Sequence, residues 1–269
     1  MMIIRMQISY DGTDYAGWQR QGDKSPDPRP TIQATIESAL SKVFNTTIKV
    51  QASGRTDAGV HALAQNIHFK VPVNLAGAPI KNPLDMKLVR SINALTPDSI
   101  AVSHAWIAPD DYHSLHSAEK KTYRYVIHNS PTPDPIRHRY SYWFEKPLDI
   151  NKLNGLTECL IGEHDFKSFQ TSGTELKTTV RRILEACWVQ VSPELIEFHI
   201  TGTGFLKQMV RNIVGTTIYL HQNDYGPDEM KRILAACDRQ VAKTTAEPQG
   251  LFLDKVYYPA DLDNRCREL

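Results

Sequence analysis

One charged loop bounded by glycines, with apolar and polar residues alternating on either side of it, restricts this chain's fold more than any other feature. Upstream, "TIKVQAS" places Ile48, Val50 and Ala52 at period two. Downstream, "NIHFKV" does the same with Ile67, Phe69 and Val71, so both flanks read as strand. Between them "GRTDAG" sets Arg55 and Asp57 between Gly54 and Gly59. Glycine tolerates positive φ and aspartate bonds its own backbone, so the segment is at least a turn. A turn alone does not explain a charged pair inside a sheet, and the rest of the chain has to decide.

The surrounding pattern is mixed. "TIQATIESALSKVF" carries Ile32, Ile36, Leu40 and Val43 at helical spacing. "DMKLVRSINAL" predicts a second helix with Asp85 as its N-cap and Leu88, Val89, Ile92 and Leu95 as its stripe. "SIAVSHAWIA" reads as a strand. The first half is thus strand, helix, strand, strand, helix, strand. "GDKSPDPRP", residues 22–30, is rich in proline and reads as a surface loop.

The second half repeats the theme. "KTYRYVIHN" is a strand with Tyr123, Tyr125 and Ile127 on one face, and "NKLNGLTECLIG" is a helix. "VRRILEACWVQV" and "ELIEFHIT" form a hairpin joined at Ser192 and Pro193. "GFLKQMVRNIVGTTIYL" is a long helix, "PDEMKRILAAC" another with Pro227 in its first turn, and "GLFLDKVYY" a closing strand. Short connections in this order predict an α+β fold of two related halves, 1–108 and 109–269, with antiparallel or mixed sheet and flanking helices.

Bulk properties exclude several classes. With 269 residues and 41% hydrophobic content, the chain can build one large core or two medium ones. No apolar run approaches the roughly 20 residues of a membrane span, and "MMIIRMQISY" is too short for a signal peptide. Cys159, Cys187, Cys237 and Cys266 are scattered without a C-x-x-C pair, which predicts reduced thiols in a cytoplasmic protein and no structural zinc. Net charge is +1, but basic residues gather at Lys120, Lys121 and Arg124, at Arg137 and Arg139, at Arg181 and Arg182, and at Lys207 and Arg211. Such clusters suit either solvated faces or a basic cleft. Phosphate-loop, H-E-x-x-H and zinc-deaminase signatures are missing, and "GTGFLK" lacks the third glycine of a dinucleotide loop. The expected chemistry therefore uses neither metal nor nucleotide cofactor.

That leaves Asp57. A carboxylate can form a covalent intermediate or move a proton when it is ionised and held. A partly buried carboxylate needs a cation, and Arg211 is the best distant candidate. It lies in a largely apolar helix where Lys207, Arg211 and Gly215, spaced by four, leave a polar stripe, although such a stripe equally fits a solvent-facing edge. Tyr123 and Tyr125 flank Arg124, the mixture of aromatic and basic residues that stacks on and neutralises nucleic acid, or else two core tyrosines. His61, His113 and His116 have no ligand spacing and read as hydrogen-bonding or surface histidines.

Taken in order, these segments resemble the tRNA pseudouridine synthase A family over nearly the whole chain. The resemblance is carried by "YDGTDYAGWQRQ", "TIQATIESAL", "GRTDAGVHA", "KKTYRY", "GEHDFKSF", "GFLKQMVRNIVG" and "AEPQGLFLDKVYY". It implies two α+β halves in a continuous, mostly antiparallel sheet, the pseudouridine synthase fold, and a homodimer. It implies that Asp57 attacks uridine, that Arg211 pairs with Asp57, and that Tyr123 stacks in the active site. Arg55 would hold the extruded nucleotide, while Lys121, Arg124 and Lys207 would contact RNA. The substrate would be tRNA, at uridines 38, 39 and 40 of the anticodon stem-loop, with no cofactor, metal or membrane. The chain departs from the family in "YHSLHSA", which carries Leu115 where arginine is usual, and in the extended 22–30 loop. Two rivals are a catalytically silent tRNA-binding protein of the same fold and a carboxylate enzyme acting on a free nucleoside. Retention of Asp57, Tyr123 and Arg211 speaks against the first.

Overall fold

Strand β1 (Met2–Tyr10) buries residues of both parities, including Ile3, Ile4, Met6 and Ile8, because it has neighbours on both edges and layers on both faces. The structure, a computed structural model, describes residues 1–21, 27–72, 83–171 and 177–269; residues 22–26 of the expected 22–30 loop lie outside these. Helix α1 (Ile32–Phe44) is capped by Thr31, whose hydroxyl accepts from the Ala34 N–H, and ends on Asn45 in the left-handed region. Its predicted stripe is buried, each such side chain stabilising the fold by about 1.5–3 kcal/mol relative to exposure. Strand β2 is only Gln51–Ala52, and β3 (His61–Val71) follows. Ile67, Phe69 and Val71 are buried as expected, but so are Asn66 and His68, so both faces of β3 are covered.

Helix α2 begins later than the sequence predicts. Pro83–Asp85 forms a 3-10 turn, and the helix runs Leu88–Asn93 from a Lys87 that makes no side-chain capping bond. Strand β4 (Ile100–Ala108) then pairs antiparallel with β1, opposite the antiparallel β1–β3 ladder.

The next segment contributes further strands. Strand β5 (Lys120–Asn129) pairs in parallel with the short β6 (Tyr142–Phe144). After helix α3 (Ile150–Thr157) and a 3-10 turn come β7 (Gly162–Asp165), β8 (Val180–Ser192) and β9 (Leu195–Gly202). The order β5-β9-β8-β7 is antiparallel throughout, with the predicted hairpin between β8 and β9. Helix α4 (Met209–Gln222) is buried almost all round, and α5 (Pro227–Ala235) has proline at its first turn.

The chain ends with β10 (Leu251–Tyr257), α6 (Ala260–Asn264) and β11 (Arg267–Glu268), the last pairing with β4. Two compact α+β units result: Met1–Glu119 with Leu253–Leu269, and Lys120–Phe252. The first runs past the expected 108–109 boundary and takes in the C-terminal segment. The reason is a cluster around buried Arg5, whose Nε donates to Asn66 Oδ1 (2.9 Å) and whose Nη1 pairs with Asp263. Its guanidinium lies over the rings of Trp106, Tyr112 and Tyr258, at 4.8, 5.3 and 4.5 Å. Such long-range contacts leave no local pattern.

Candidate active site

The loop carrying Asp57 is built from its own backbone outward. Ser53 Oγ donates to Gln65 Oε1 (2.6 Å), and Gln65 Nε2 donates to the Gly54 carbonyl (2.8 Å), closing the loop across the β2–β3 ladder. The Val60 N–H donates to the Asp57 carbonyl, and Gly59 takes φ +77° to allow the turn. Thr56 is buried, its hydroxyl 2.9 Å from that of Tyr10, which burial pushes up to about 12, so the phenol stays protonated.

Residues 10–18 form the cradle beneath it. The Trp18 N–H donates to the Thr56 carbonyl at 3.0 Å. Gly17 sits at φ +94°, and a β-carbon there would lie 2.9 Å from that same oxygen. At Gly12 a β-carbon would stand 2.0 Å from the Val60 carbonyl oxygen. Buried His61 accepts the Gly12 N–H on Nδ1, which makes it a structural histidine. Sequence reasoning missed Gly12 and Gly17; the signal was two glycines in "YDGTDYAGW". The cradle holds the Asp57 backbone fixed with its side chain half-buried, and leaves Arg55 exposed.

In the second unit, alternation along β5 sorts the predicted residues. Lys121, Tyr123, Tyr125 and Ile127 share one parity and are buried. Tyr123 meets Phe205 edge-on at 4.9 Å. Burial holds the Lys121 ammonium down at about 8. Arg124 has the other parity. Its Nη1 donates to Glu197 Oε1 (2.8 Å) and its guanidinium lies over Phe252.

The long helix also differs from expectation. Gln208 adopts φ +59°, so residues 204–207 precede the helix, and Lys207 is exposed there. The stripe of Lys207, Arg211 and Gly215 is not a solvent face throughout. A β-carbon on Gly215 would meet the Thr244 carbonyl oxygen at 1.9 Å, and half-buried Arg211 donates from Nε to the Ala246 carbonyl (2.8 Å). The geometry therefore joins Arg55 with Asp57 on one loop, Lys121 with Tyr123 on one strand face, and Lys207 with Arg211 about the start of α4. Among the described residues no group of three or more His, Cys, Asp and Glu side chains is arranged to hold a metal ion, and no helix is long and apolar enough to cross a membrane.

A family model described as tRNA pseudouridine synthase matches residues 6–117 and 157–259, spans that include the 54–59 loop, its cradle and α4. The chain belongs to the tRNA pseudouridine synthase family. The tRNA pseudouridine synthase A of Bdellovibrio bacteriovorus is 48% identical over 266 residues, covering 99% of this chain and 98% of that one. That of Bacillus subtilis is 39% identical over 259 residues, covering 96% and 99%. As a tRNA pseudouridine synthase the chain is an isomerase that converts uridine in tRNA to pseudouridine. Lys121, Tyr123 and Arg124 fall between the two spans of the family match but inside the near full-length similarity to these relatives.

Proposed function

We propose that this tRNA pseudouridine synthase acts at uridines 38, 39 and 40 of the anticodon stem-loop, with Asp57 as nucleophile and no cofactor. The observation that carries the reading is the glycine cradle, which fixes the Asp57 backbone while leaving Arg55 exposed to RNA. Attack by the carboxylate on uridine allows the N1–C1′ bond to break. The base turns, the C5–C1′ bond forms, the bond to Asp57 breaks and returns the carboxylate, the C5 proton is lost and N1 gains one. One C–N bond is exchanged for one C–C bond with no net oxidation, so the balance calls for no redox group. Arg55 and exposed Lys207 hold phosphates, Lys121 adds charge, and Tyr123 stacks against the reacting nucleotide. Arg124, tied to Glu197, serves RNA less directly. Arg211 pairs with Asp57 and keeps it ionised, since either charge buried alone is costly. The enzyme works in the cytoplasm as a homodimer, as its family resemblance supports.

Tritium release from 5-tritiated uridine in tRNA tests this, because loss of the C5 proton is obligatory. Asp57→Ala and Asp57→Asn should release none while binding tRNA nearly as well as the parent. Turnover in either variant removes Asp57 from the reaction. A tRNA with cytidine at 38, 39 and 40 should be inert, and release from free uridine would instead favour a nucleoside enzyme.

A further inference from the structure

Residues 239–247 are lashed to α4 as a strap. At one end Arg239 makes four bonds: Nη1 donates to the Ala242 and Lys243 carbonyls (both 3.3 Å), and Nη2 donates to Asn212 Oδ1 (3.2 Å) and Thr245 Oγ1 (3.1 Å). Thr245 Oγ1 donates in turn to Asn212 Oδ1 at 2.6 Å. Asn212 is fully buried and is itself held by a bond from Nδ2 to the Phe169 carbonyl (2.7 Å). The Lys243 N–H donates to Thr216 Oγ1, and Gly215 admits the Thr244 carbonyl. At the other end the Tyr125 hydroxyl donates to the Glu247 carbonyl at 2.7 Å. Between these anchors lies Ala246, bound to Arg211 twice: its N–H donates to the Arg211 carbonyl (3.0 Å), and its carbonyl accepts from Arg211 Nε (2.8 Å).

We propose that Arg239 is a positioning residue for the isomerisation, fixing the strap so that the Ala246 carbonyl aims the Arg211 guanidinium. The proposal rests on the reading that Arg211 serves the reaction. A guanidinium is planar, so one bond at Nε sets the plane in which both Nη groups lie. The acceptor for that bond is a main-chain carbonyl in a segment without helix or strand of its own. Its place is fixed by what grips the segment, and Arg239 bonds both the main chain of residues 242 and 243 and, through Thr245 and Asn212, the helix that carries Arg211. A small displacement of a group that must meet reacting atoms is costly to the chemical step and of little consequence to binding.

The test is a double-mutant cycle in the full chain, read by steady-state tritium release. Arg239→Met removes all four donors at similar length. Thr245→Val, which removes one hydroxyl at constant shape, serves where the first variant folds poorly. Arg239→Met should lower kcat by about ten- to a hundredfold with KM little changed, and Thr245→Val should act in the same direction. Arg239→Lys should recover part of the rate. In an Arg211→Met background either substitution should add less than about twofold, because the group it positions is gone. Equal losses in both backgrounds, or an unchanged kcat in Arg239→Met, overturns the proposal. An unchanged rate in Arg211→Met alone overturns the reading of Arg211 itself, and the proposal with it.

Discussion

The backbones of Gly12 and Val60 meet so closely that a β-carbon at position 12 would stand 2.0 Å from the Val60 carbonyl oxygen. Both sides of the contact are main chain, so neither can swing aside as a flexible side chain would. Gly12→Ala should push the 54–60 loop off its cradle, costing about 1–3 kcal/mol or more in stability and lowering tritium release beyond what the unfolded fraction explains. Urea denaturation and single-turnover rates check this together. A variant with the parent's midpoint and rate would mean the loop does not depend on the cradle.

Lys121 supplies a pH dependence. Burial brings it from 10.5 down to about 8, so between those values the unfolded chain holds a proton that the folded one has released. Stability therefore rises with pH across that window, and the penalty of the buried ammonium is full below about pH 8. Lys121→Met should be more stable than the parent at pH 7, by an amount on the order of 3 kcal/mol at most, with the difference vanishing by about pH 10.5. Denaturation at pH 7 and 10 would show it. A constant difference at both would contradict the assignment. If Lys121 meets a phosphate, the salt slope for tRNA should fall by up to about 0.9 as pH rises through 8.

His68 works at the acid end. Burial, then the neighbouring His113, then Lys70 bring it to about 4, and its Nδ1 accepts the Ser114 N–H, so the folded ring is neutral. Its contribution to stability is complete above 6.5 and is lost as pH falls through about 4. His68→Gln should lose less stability than the parent between pH 7 and 4.5, the gap being on the order of 2–3 kcal/mol. Parallel stability curves for the two proteins would exclude His68 as the acid-sensitive group.

Arg5 holds residues 258–266 through Asp263 and the Tyr258 ring. Lysine would keep the charge but lose the plane that lies over three rings. Arg5→Lys should speed amide exchange across α6 and β11 by about tenfold, the equivalent of ~1.4 kcal/mol. Exchange at β3 and β9 should change little. Unaltered exchange in α6 would show that the rings contribute nothing.

Patterns that describe one face of one element were legible. The α1 stripe and the alternation of β3 and β5 follow from what each strand or helix must bury, and the period of two along β5 already separated Arg124 from Tyr123. What covers a face was not legible. Lys207, Arg211 and Gly215 at spacing four fit a solvent edge as well as a groove for another segment, and residues 242–247, which fill that groove, have no periodicity. The "GRTDAG" loop could be read as a site because charge stood where a sheet expects none. Its cradle could not, since Gly12 and Gly17 act by lacking side chains, and hydrophobic patterning does not register missing atoms. Nor does any local signal show that β11 returns to β4.

That return makes residues 120–252 an insertion within the first unit, and this sets an order on synthesis. The ribosome makes every residue of the second unit before it makes residues 253–269, so the second unit needs nothing that follows it. The first unit needs them. Until its last segment arrives, β4 lacks β11, and Arg5 waits beside Trp106 and Tyr112 without Tyr258 or Asp263. A chain released at residue 252 therefore carries every residue of the second unit but an unfinished Asp57-bearing one, with an open strand edge that chaperones or proteases can read as incompleteness.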